Sequence, residues 1–145
     1  MGFFSSLEIS ASGLSAQRLR MDVISENIAN IDTVETEDGG PYRRKYVVLR
    51  EKDGGASFQT LLNGAKARST AGVRLDQIGE DPSDFRLEYD PTHPNANEDG
   101  YVEKPNVDLA QEMVDMLSAY RSYEANVTAF NATKDMAVKA LEIGS

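Results

Sequence analysis

One segment of the sequence decides the fold: residues 109–141, which read LAQEMVDMLSAYRSYEANVTAFNATKDMAVKAL. Alternating steps of four and three residues from Leu109 reach an apolar side chain at every position except Lys134, a heptad pattern typical of a coiled coil. The apolar positions are Leu109, Met113, Met116, Tyr120, Tyr123, Val127, Phe130, Ala137 and Leu141. A single long helix is therefore predicted here, capped at its start by Asn106 or Asp108.

The length of this helix bears on its role. A helix from residue 107 to 143 would extend about 55 Å, whereas a compact domain of this size is only about 30 Å across. The helix is thus predicted to project beyond any local core, and its Met and Tyr side chains are of types that suit an interface. The alternative is an intramolecular helix pair that covers the middle of the chain.

The N-terminal segment carries a second apolar stripe at helical period, with four members spaced seven residues apart. The members are Leu7, Leu14, Met21, Ile24 and Ile28. Ser5 followed by Glu8 fits a capping box at the start of this helix. Because Gly13 costs ~1 kcal/mol relative to alanine, and several serines are also poor helix formers, we expect this helix to need a partner.

The middle of the chain has a different character. All five prolines and eight of the eleven glycines lie between residues 39 and 105, which argues against long helices there. Strands are predicted at 46–49, at 73–75 and at 85–89, where apolar and polar residues alternate. Residues 54–68 are compatible with a short helix. We expect a small antiparallel sheet or a barrel-like module.

These patterns together predict an α+β fold. Long N- and C-terminal helices, residues 1–33 and 106–145, pair in a coiled-coil-like helical domain. Residues 34–105 form a small β-rich domain inserted between them. Most of the charge falls in this insert, which carries 10 basic and 15 acidic residues over positions 32–105.

Composition excludes several classes of function. The chain has 145 residues, a formal net charge of -9 and no cysteine. A phosphate backbone needs a net positive face, so nucleic acid is not an expected partner. No run of about 18 to 20 apolar residues is present and the start lacks the pattern of a secretory signal, so we expect neither a membrane-embedded protein nor a cleavable signal peptide.

Candidate chemical groups are few. The single histidine, His93, lies between Pro91 and Pro94, where it fits a rigid turn better than an acid/base or metal pair with Asp90. The basic cluster at 43–45 is predicted to form salt bridges with acidic partners, within the chain or on a neighbouring subunit. No catalytic residue, metal ligand, cofactor site or small-molecule substrate site is predicted.

Several blocks of sequence carry a resemblance to a known family. They are SENIAN at 25–30 with Thr33, GGPYRRK at 39–45, YDPTHP at 89–94, GYV at 100–102, PNV at 105–107 and YRSYEAN at 120–126. Taken together, these blocks resemble the flagellar axial proteins, and within that family the subunits of the proximal rod. The likeness covers nearly the whole chain.

The resemblance implies a structural subunit of the flagellar basal-body rod and not an enzyme. Members of the family leave the cell through the flagellar type III export apparatus without a cleavable signal. They then assemble outside the cytoplasmic membrane with themselves and with other rod proteins, transmitting torque from motor to hook. The predicted assembly residues are Leu7, Leu14, Met21, Ile24, Ile28, Asn30, Leu109, Met113, Met116, Tyr120, Tyr123, Val127, Phe130 and Leu141.

Two alternatives belong to other classes. A soluble helical adaptor or chaperone-like protein would show slow hydrogen exchange in both terminal helices before any assembly, whereas we expect rapid exchange there for a rod subunit. A small hydrolase that uses His93 with an aspartate would lose activity in His93→Ala. For the rod subunit, Val127→Asp is expected to abolish assembly and motility.

Overall fold

The computed structural model describes residues 3–37, 39–52 and 72–143. In chain order they form helix α1 (Phe3–Ala29), strands β1 (Lys45–Glu51), β2 (Val73–Glu80), β3 (Arg86–Tyr89) and β4 (Tyr101–Lys104), and helix α2 (Leu109–Ile143). The two long helices contact each other, and the strands lie between them in the chain, so the predicted α+β class is confirmed. The short helix predicted at 54–68 lies outside the described residues.

Helix α2 begins where the sequence indicates. The Oδ1 atom of Asp108 accepts hydrogen bonds from the backbone N–H groups of Ala110, at 2.9 Å, and Gln111, at 3.1 Å. Asp108 is therefore the N-cap, while Asn106, the other predicted candidate, contacts a different part of the chain. With 35 residues, α2 extends about 52 Å.

The start of helix α1 differs from the prediction, and a contact with α2 accounts for the glycine within it. The helix already includes Phe3, so Ser5 lies inside it and the predicted capping box with Glu8 is wrong. A Cβ atom on Gly13 would lie 3.0 Å from the side-chain amide of Asn126 in α2. The residue that weakens α1 as an isolated helix thus lets α2 approach closely.

The strands form two separate two-stranded sheets within the described residues, where one small sheet or barrel was expected. β3 and β4 are antiparallel, with Tyr89 opposite Tyr101. β1 and β2 also run antiparallel, since Lys52 N–H donates to the Gly72 carbonyl beyond one end and Asp81 N–H to the Arg44 carbonyl beyond the other. The strands predicted at 46–49, 73–75 and 85–89 are present, whereas β4 was not predicted.

The chain divides into two compact units. The terminal unit comprises Met1–Arg18, Leu49–Asp76 and Tyr120–Ser145, and the central unit comprises Leu19–Val48 and Gln77–Ala119. Among the described residues, the buried apolar side chains of the central unit are Val23, Ile24, Tyr42, Val102, Pro105, Val107 and Ala119, and that of the terminal unit is Ala16. The boundaries predicted at residues 34 and 105 follow secondary structure and stay a prediction.

Candidate functional site

Asn27, near the end of α1, lies at the centre of a buried polar cluster in the central unit. The residue is 1% exposed. Its Nδ2 donates to the backbone carbonyl of Lys45, at 2.8 Å, and to Oε2 of Glu112, at 3.1 Å. Its Oδ1 accepts from the Lys45 backbone N–H, at 2.9 Å, and from the Tyr42 hydroxyl, at 3.0 Å. Both donors and both acceptor positions of the amide are thus used within the chain.

Glu112, in the first turn of α2, is 0% exposed and reaches the same cluster. While Oε2 accepts from Asn27, Oε1 accepts from Nε of Arg44 at 2.6 Å. A buried carboxylate is costly unless it is paired and hydrogen-bonded, and here each oxygen has a donor. We call Asn27, Tyr42, Arg44 and Glu112 the polar hub.

Arg44 supplies the positive charge of the polar hub. Besides Glu112, its guanidinium group lies 3.6 Å from Oδ2 of Asp81 and 3.7 Å from Oδ2 of Asp115. Burial lowers the pKa of Arg44, but the hydrogen bond to Glu112 and the attraction of the neighbouring carboxylates outweigh that effect and raise the pKa above its ordinary value. Asp115 also pairs with Arg20 of α1, at 3.5 Å.

The two helix contacts of the central unit fix the direction of pairing. Asn27 contacts Glu112, and Arg20, earlier in α1, contacts Asp115, later in α2. The two helices are therefore antiparallel in this unit. The contacts lie about two turns apart on α1 and just under one turn apart on α2, so they also define which turn of α1 faces which turn of α2.

A second layer of hydrogen bonds connects the polar hub to the turn before β3. The Oδ1 atom of Asn106 accepts from the Arg44 backbone N–H at 2.8 Å, and its Nδ2 donates to the hydroxyl of Ser83 at 2.9 Å. Arg43 donates to the Asp81 carbonyl at 2.9 Å and stacks over the ring of Phe85. The β3–β4 segment is thereby attached to the residues that precede β1.

The prediction for the basic cluster at 43–45 is confirmed in its intramolecular form. Arg44 pairs with Glu112, and Lys45 pairs with Glu26 at 2.6 Å. The sequence did not indicate that Asn27 and Glu112 would be buried. The signal that could have found them is the set of blocks 25–30, 39–45 and 105–107, since Asn27, Arg44 and Asn106 come from these three and meet here.

The loop around His93 has local structural bonding. The Asp90 carboxylate accepts from the backbone N–H of Thr92, at 3.1 Å, and from its hydroxyl, at 2.7 Å, and these bonds lower the pKa of Asp90. Nδ1 of His93 accepts from the Asn95 backbone N–H at 3.1 Å. Both candidate chemical groups are thus engaged in the turn. Within the described part of the chain, no three His, Asp or Glu side chains are grouped to hold a metal ion.

The predicted assembly residues of α2 fall into two sets. The exposed set is Leu109, Met113, Tyr120 and Leu141, and the half-buried set is Met116, Tyr123, Val127 and Phe130. The exposed set continues into large apolar side chains that were not on the predicted stripe. These are Val114, Leu117, Met136, Val138 and Ile143. The apolar surface of α2 is therefore broader than the predicted seam.

The predicted assembly residues of α1 are more enclosed. Ile24 is buried, and the half-buried ones are Leu7, Leu14, Met21, Ile28 and Asn30. Nδ2 of Asn30 donates to the Glu26 carbonyl at 2.9 Å, and its Oδ1 accepts from the Thr33 hydroxyl at 3.2 Å. Asn30 thus has a local role in ending α1.

The terminal unit contains an apolar groove of about 610 Å³. Its lining residues are Phe4, Ser6, Thr133, Met136, Ala137, Ala140 and Leu141. Phe4 is 82% exposed and Leu141 is 75% exposed. Large apolar side chains are thus accessible along this groove.

Two family models match the ends of the chain. The model described as flagella basal body rod protein matches residues 7–34, and the model of the C-terminal part of the flagellar basal body rod FlgEFG proteins matches residues 98–143. The first match includes Asn27, and the second includes Asn106 and Glu112. No helix in the described part of the chain is long and apolar enough to cross a membrane.

Curated relatives are similar over their whole length. The chain is 56% identical to the flagellar basal-body rod protein FlgC of Bacillus subtilis, with 99% of each chain covered. It is 46% identical to the FlgC protein of Borreliella burgdorferi, over 99% of this chain and 98% of the relative. It is 38% identical to that of Salmonella typhimurium, again over 99% of each.

Proposed function

Since the chain belongs to the FlgC family of flagellar basal-body rod proteins, in which it is a structural subunit and not an enzyme, we propose that it assembles through the exposed apolar face of α2. We define this face by its exposed members, Leu109, Met113, Val114, Leu117, Tyr120, Met136, Val138 and Leu141. A neighbouring subunit covers it in the rod. Of the predicted assembly residues of α1, the proposal keeps the half-buried Leu7, Leu14, Met21 and Ile28, and it leaves out Ile24, whose side chain is buried within the chain.

The observation that carries the proposal is the exposure of so many large apolar side chains on one helix. Exposed large apolar side chains in such numbers, here near both ends of α2, are typical of interaction surfaces. Met and aromatic residues, which the face contains, are enriched in interface cores. Covering one such side chain contributes on the order of 1 kcal/mol, because these side chains are already partly buried, so several together are needed to offset the cost of ordering a subunit on the rod.

The groove of the terminal unit suits a helical neighbour. Met136, Ala137, Ala140 and Leu141 follow helical spacing along α2, and small alanines beside larger side chains leave room for a partner's knobs. Phe4 of α1 lines the same groove. We expect a helix of an adjacent subunit, either a second copy of this chain or another rod protein, to occupy it.

The proposal extends to the route and place of assembly. The chain is made in the cytoplasm, leaves through the flagellar type III export apparatus and joins the rod outside the cytoplasmic membrane. Once there, it transmits torque from motor to hook. Membership of the rod family supports this part of the proposal, and its test is whether the chain is found in the rod of purified basal bodies.

The test of the assembly face uses one substitution at two places. Leu141→Gln removes an apolar side chain from the groove, and Leu87→Gln makes the same change on β3, where Leu87 is 63% exposed. Both variants should fold, because both side chains are exposed. Leu141→Gln should strongly reduce swimming and the number of complete rods, while Leu87→Gln should leave both near wild-type levels.

Equal behaviour of the two variants would contradict the proposal, because the helix face would then have no special role. Hydrogen exchange on the isolated chain separates a rod subunit from the helical adaptor. An adaptor would show slow exchange along the whole of both helices without any partner.

A further inference from the structure

We propose that Asn27 and Glu112 are positioning residues, whose hydrogen-bond polarity selects a single pairing of α1, α2 and the segment before β1. The inference concerns the isolated chain and goes beyond the assembly function. It stands or falls separately from the assembly face of α2. Its basis is the geometry of the polar hub, in which three parts of the sequence meet at two fully buried polar side chains.

The orientation of the Asn27 amide is fixed by the backbone of one residue. Lys45 N–H donates to its Oδ1, and the Lys45 carbonyl accepts from its Nδ2. If the amide rotated by half a turn, two donors would face each other and two acceptors would face each other. One Nδ2 hydrogen therefore always points at position 112 and requires an acceptor there.

Glu112 is equally constrained. Its Oε2 receives that hydrogen from Asn27, and its Oε1 receives the Nε hydrogen of Arg44. Position 112 must thus present acceptors in two directions, which an ionised carboxylate can do and a carboxamide cannot. A shift of α2 by one heptad, which would leave its apolar stripe in place, would replace Glu112 by Ala119 or Pro105, and neither side chain is an acceptor. The hub therefore disfavours the pairings that lie one heptad away.

Stability alone does not explain such a cluster. Replacing a buried ion pair by well-packed apolar side chains is often neutral or stabilising, whereas removing one partner is strongly destabilising. Buried polar groups can instead select one helix pairing among several that bury similar amounts of apolar surface. Selection is needed here because both helices carry long apolar stripes, and such stripes permit pairing in more than one register.

The experiment exchanges the donor and the acceptor between positions 27 and 112 in the full-length chain. Glu112→Gln places an NH₂ group against either Asn27 or Arg44, and Asn27→Asp places a carboxylate against Glu112. The double variant Asn27→Asp/Glu112→Gln restores one donor and one acceptor across the contact and keeps the net charge of the pair. The measurement is hydrogen exchange of the amides in 19–29 and 109–119.

Each single variant should lose protection on the order of 100-fold in both helical segments, because each leaves a buried polar group without a partner. Protection in the double variant should be at least about tenfold higher than in either single variant. Recovery is expected to be incomplete, since an ionised aspartate at position 27 cannot donate to the Lys45 carbonyl. As a control, Glu124→Gln makes the same change on an exposed part of α2 and should alter exchange less than about twofold.

If the amides of the double variant exchange no more slowly than those of the less protected single variant, the proposal is wrong, because the two side chains would then contribute packing alone. If a single variant does not fold at all, the double variant still decides. A folded double variant supports selection by polarity, and an unfolded one contradicts it.

Discussion

The central and terminal units of this chain are built on different principles although they share both helices. In the central unit Asn27 and Glu112 of the polar hub are buried, and every polar atom of their side chains is hydrogen-bonded. Most of the buried apolar side chains among the described residues also lie in this unit. In the terminal unit the described residues bury Ala16 and Ser10, while Phe4, Met136, Leu141 and Ile143 are exposed. Both units expose large apolar side chains, but only the central unit combines them with a buried and hydrogen-bonded interior.

The two units therefore differ in how much of their stability comes from contacts within the chain. A segment whose polar groups and apolar side chains are satisfied within the chain can hold its structure alone. A segment that leaves large apolar side chains in water gains most of its stability when another molecule covers them. The central unit can therefore hold its structure alone while it still presents Leu109, Met113, Val114 and Leu117 of the proposed assembly face, whereas the terminal unit has little interior of its own.

The largest expected effect comes from placing the same charge in each unit. Val102 in β4 is 1% exposed and Val138 in α2 is 47% exposed. Val102→Asp buries an unpaired carboxylate and should cost about 4 kcal/mol or more, whereas Val138→Asp should cost under about 0.5 kcal/mol in the isolated chain. Urea unfolding followed by circular dichroism measures both. Similar losses would remove the distinction between the units.

Hydrogen exchange along α1 should show the next largest effect. Amides in 19–29 belong to the central unit and those in 4–14 to the terminal unit. In the isolated chain we expect the first group to exchange on the order of 100-fold more slowly than the second. This replaces the sequence-based expectation of rapid exchange throughout both terminal helices by one that holds for the terminal unit alone. Uniform protection along α1 would contradict it.

High pH should weaken the central unit through Tyr42. Burial, together with the negative charges of Glu26 and Glu112, raises the pKa of Tyr42 to about 12 from its ordinary value of 10.0. Because the folded pKa is the higher one, this contribution is intact below pH 10 and is lost as the pH rises towards 12.

The matching variant is Tyr42→Phe, which cannot ionise but also lacks the hydroxyl that donates to Asn27. It should be less stable than wild type at pH 8, and the gap should narrow by on the order of 1 kcal/mol at pH 11. Unfolding in urea at the two pH values gives the comparison. A constant gap would mean that the phenol titrates alike in the folded and unfolded chains.

The smallest effect concerns the contact between Gly13 and Asn126 in the terminal unit. Gly13→Ala should destabilise the chain by roughly 0.5 kcal/mol, since the new methyl group meets the Asn126 side chain at 3.0 Å and outweighs the gain in helix propensity. With Asn126→Ala already present, the same change should stabilise by up to ~1 kcal/mol. Thermal unfolding of the four chains tests this. Stabilisation in both backgrounds would show that the contact is not tight.

The parts of the fold that could be predicted are those set by local patterns. Heptad spacing located α2, Asp108 fitted its cap, and alternation located β3. Ser5 was placed wrongly as a cap because the capping-box pattern also occurs inside helices, where tertiary packing decides whether the helix extends further. β4 was missed because its four residues include two charged ones, and pairing with β3 supplies what propensity does not.

The site was less predictable, because hydropathy does not reveal which polar residue is buried. Glu112 and Asn27 are residues of types normally found at the surface, and their burial depends on partners that lie 15 to 85 residues away in the sequence. The apolar stripe of α2 was traced from Leu109 through large side chains. The buried and half-buried positions of α2 lie on a face that is rotated around the helix axis from that stripe, and they include small and polar residues. Among these positions are Glu112, Met116, Ala119, Tyr123, Asn126, Phe130, Thr133 and Ala137.

The polar hub also makes the fold sensitive to how much of the chain is present. Asn27 and Glu112 are 85 residues apart, and Arg44 lies between them in sequence. A chain that ends before position 112 cannot make the Asn27–Glu112 and Arg44–Glu112 bonds. The central unit is therefore expected to fold only when the last helix is present.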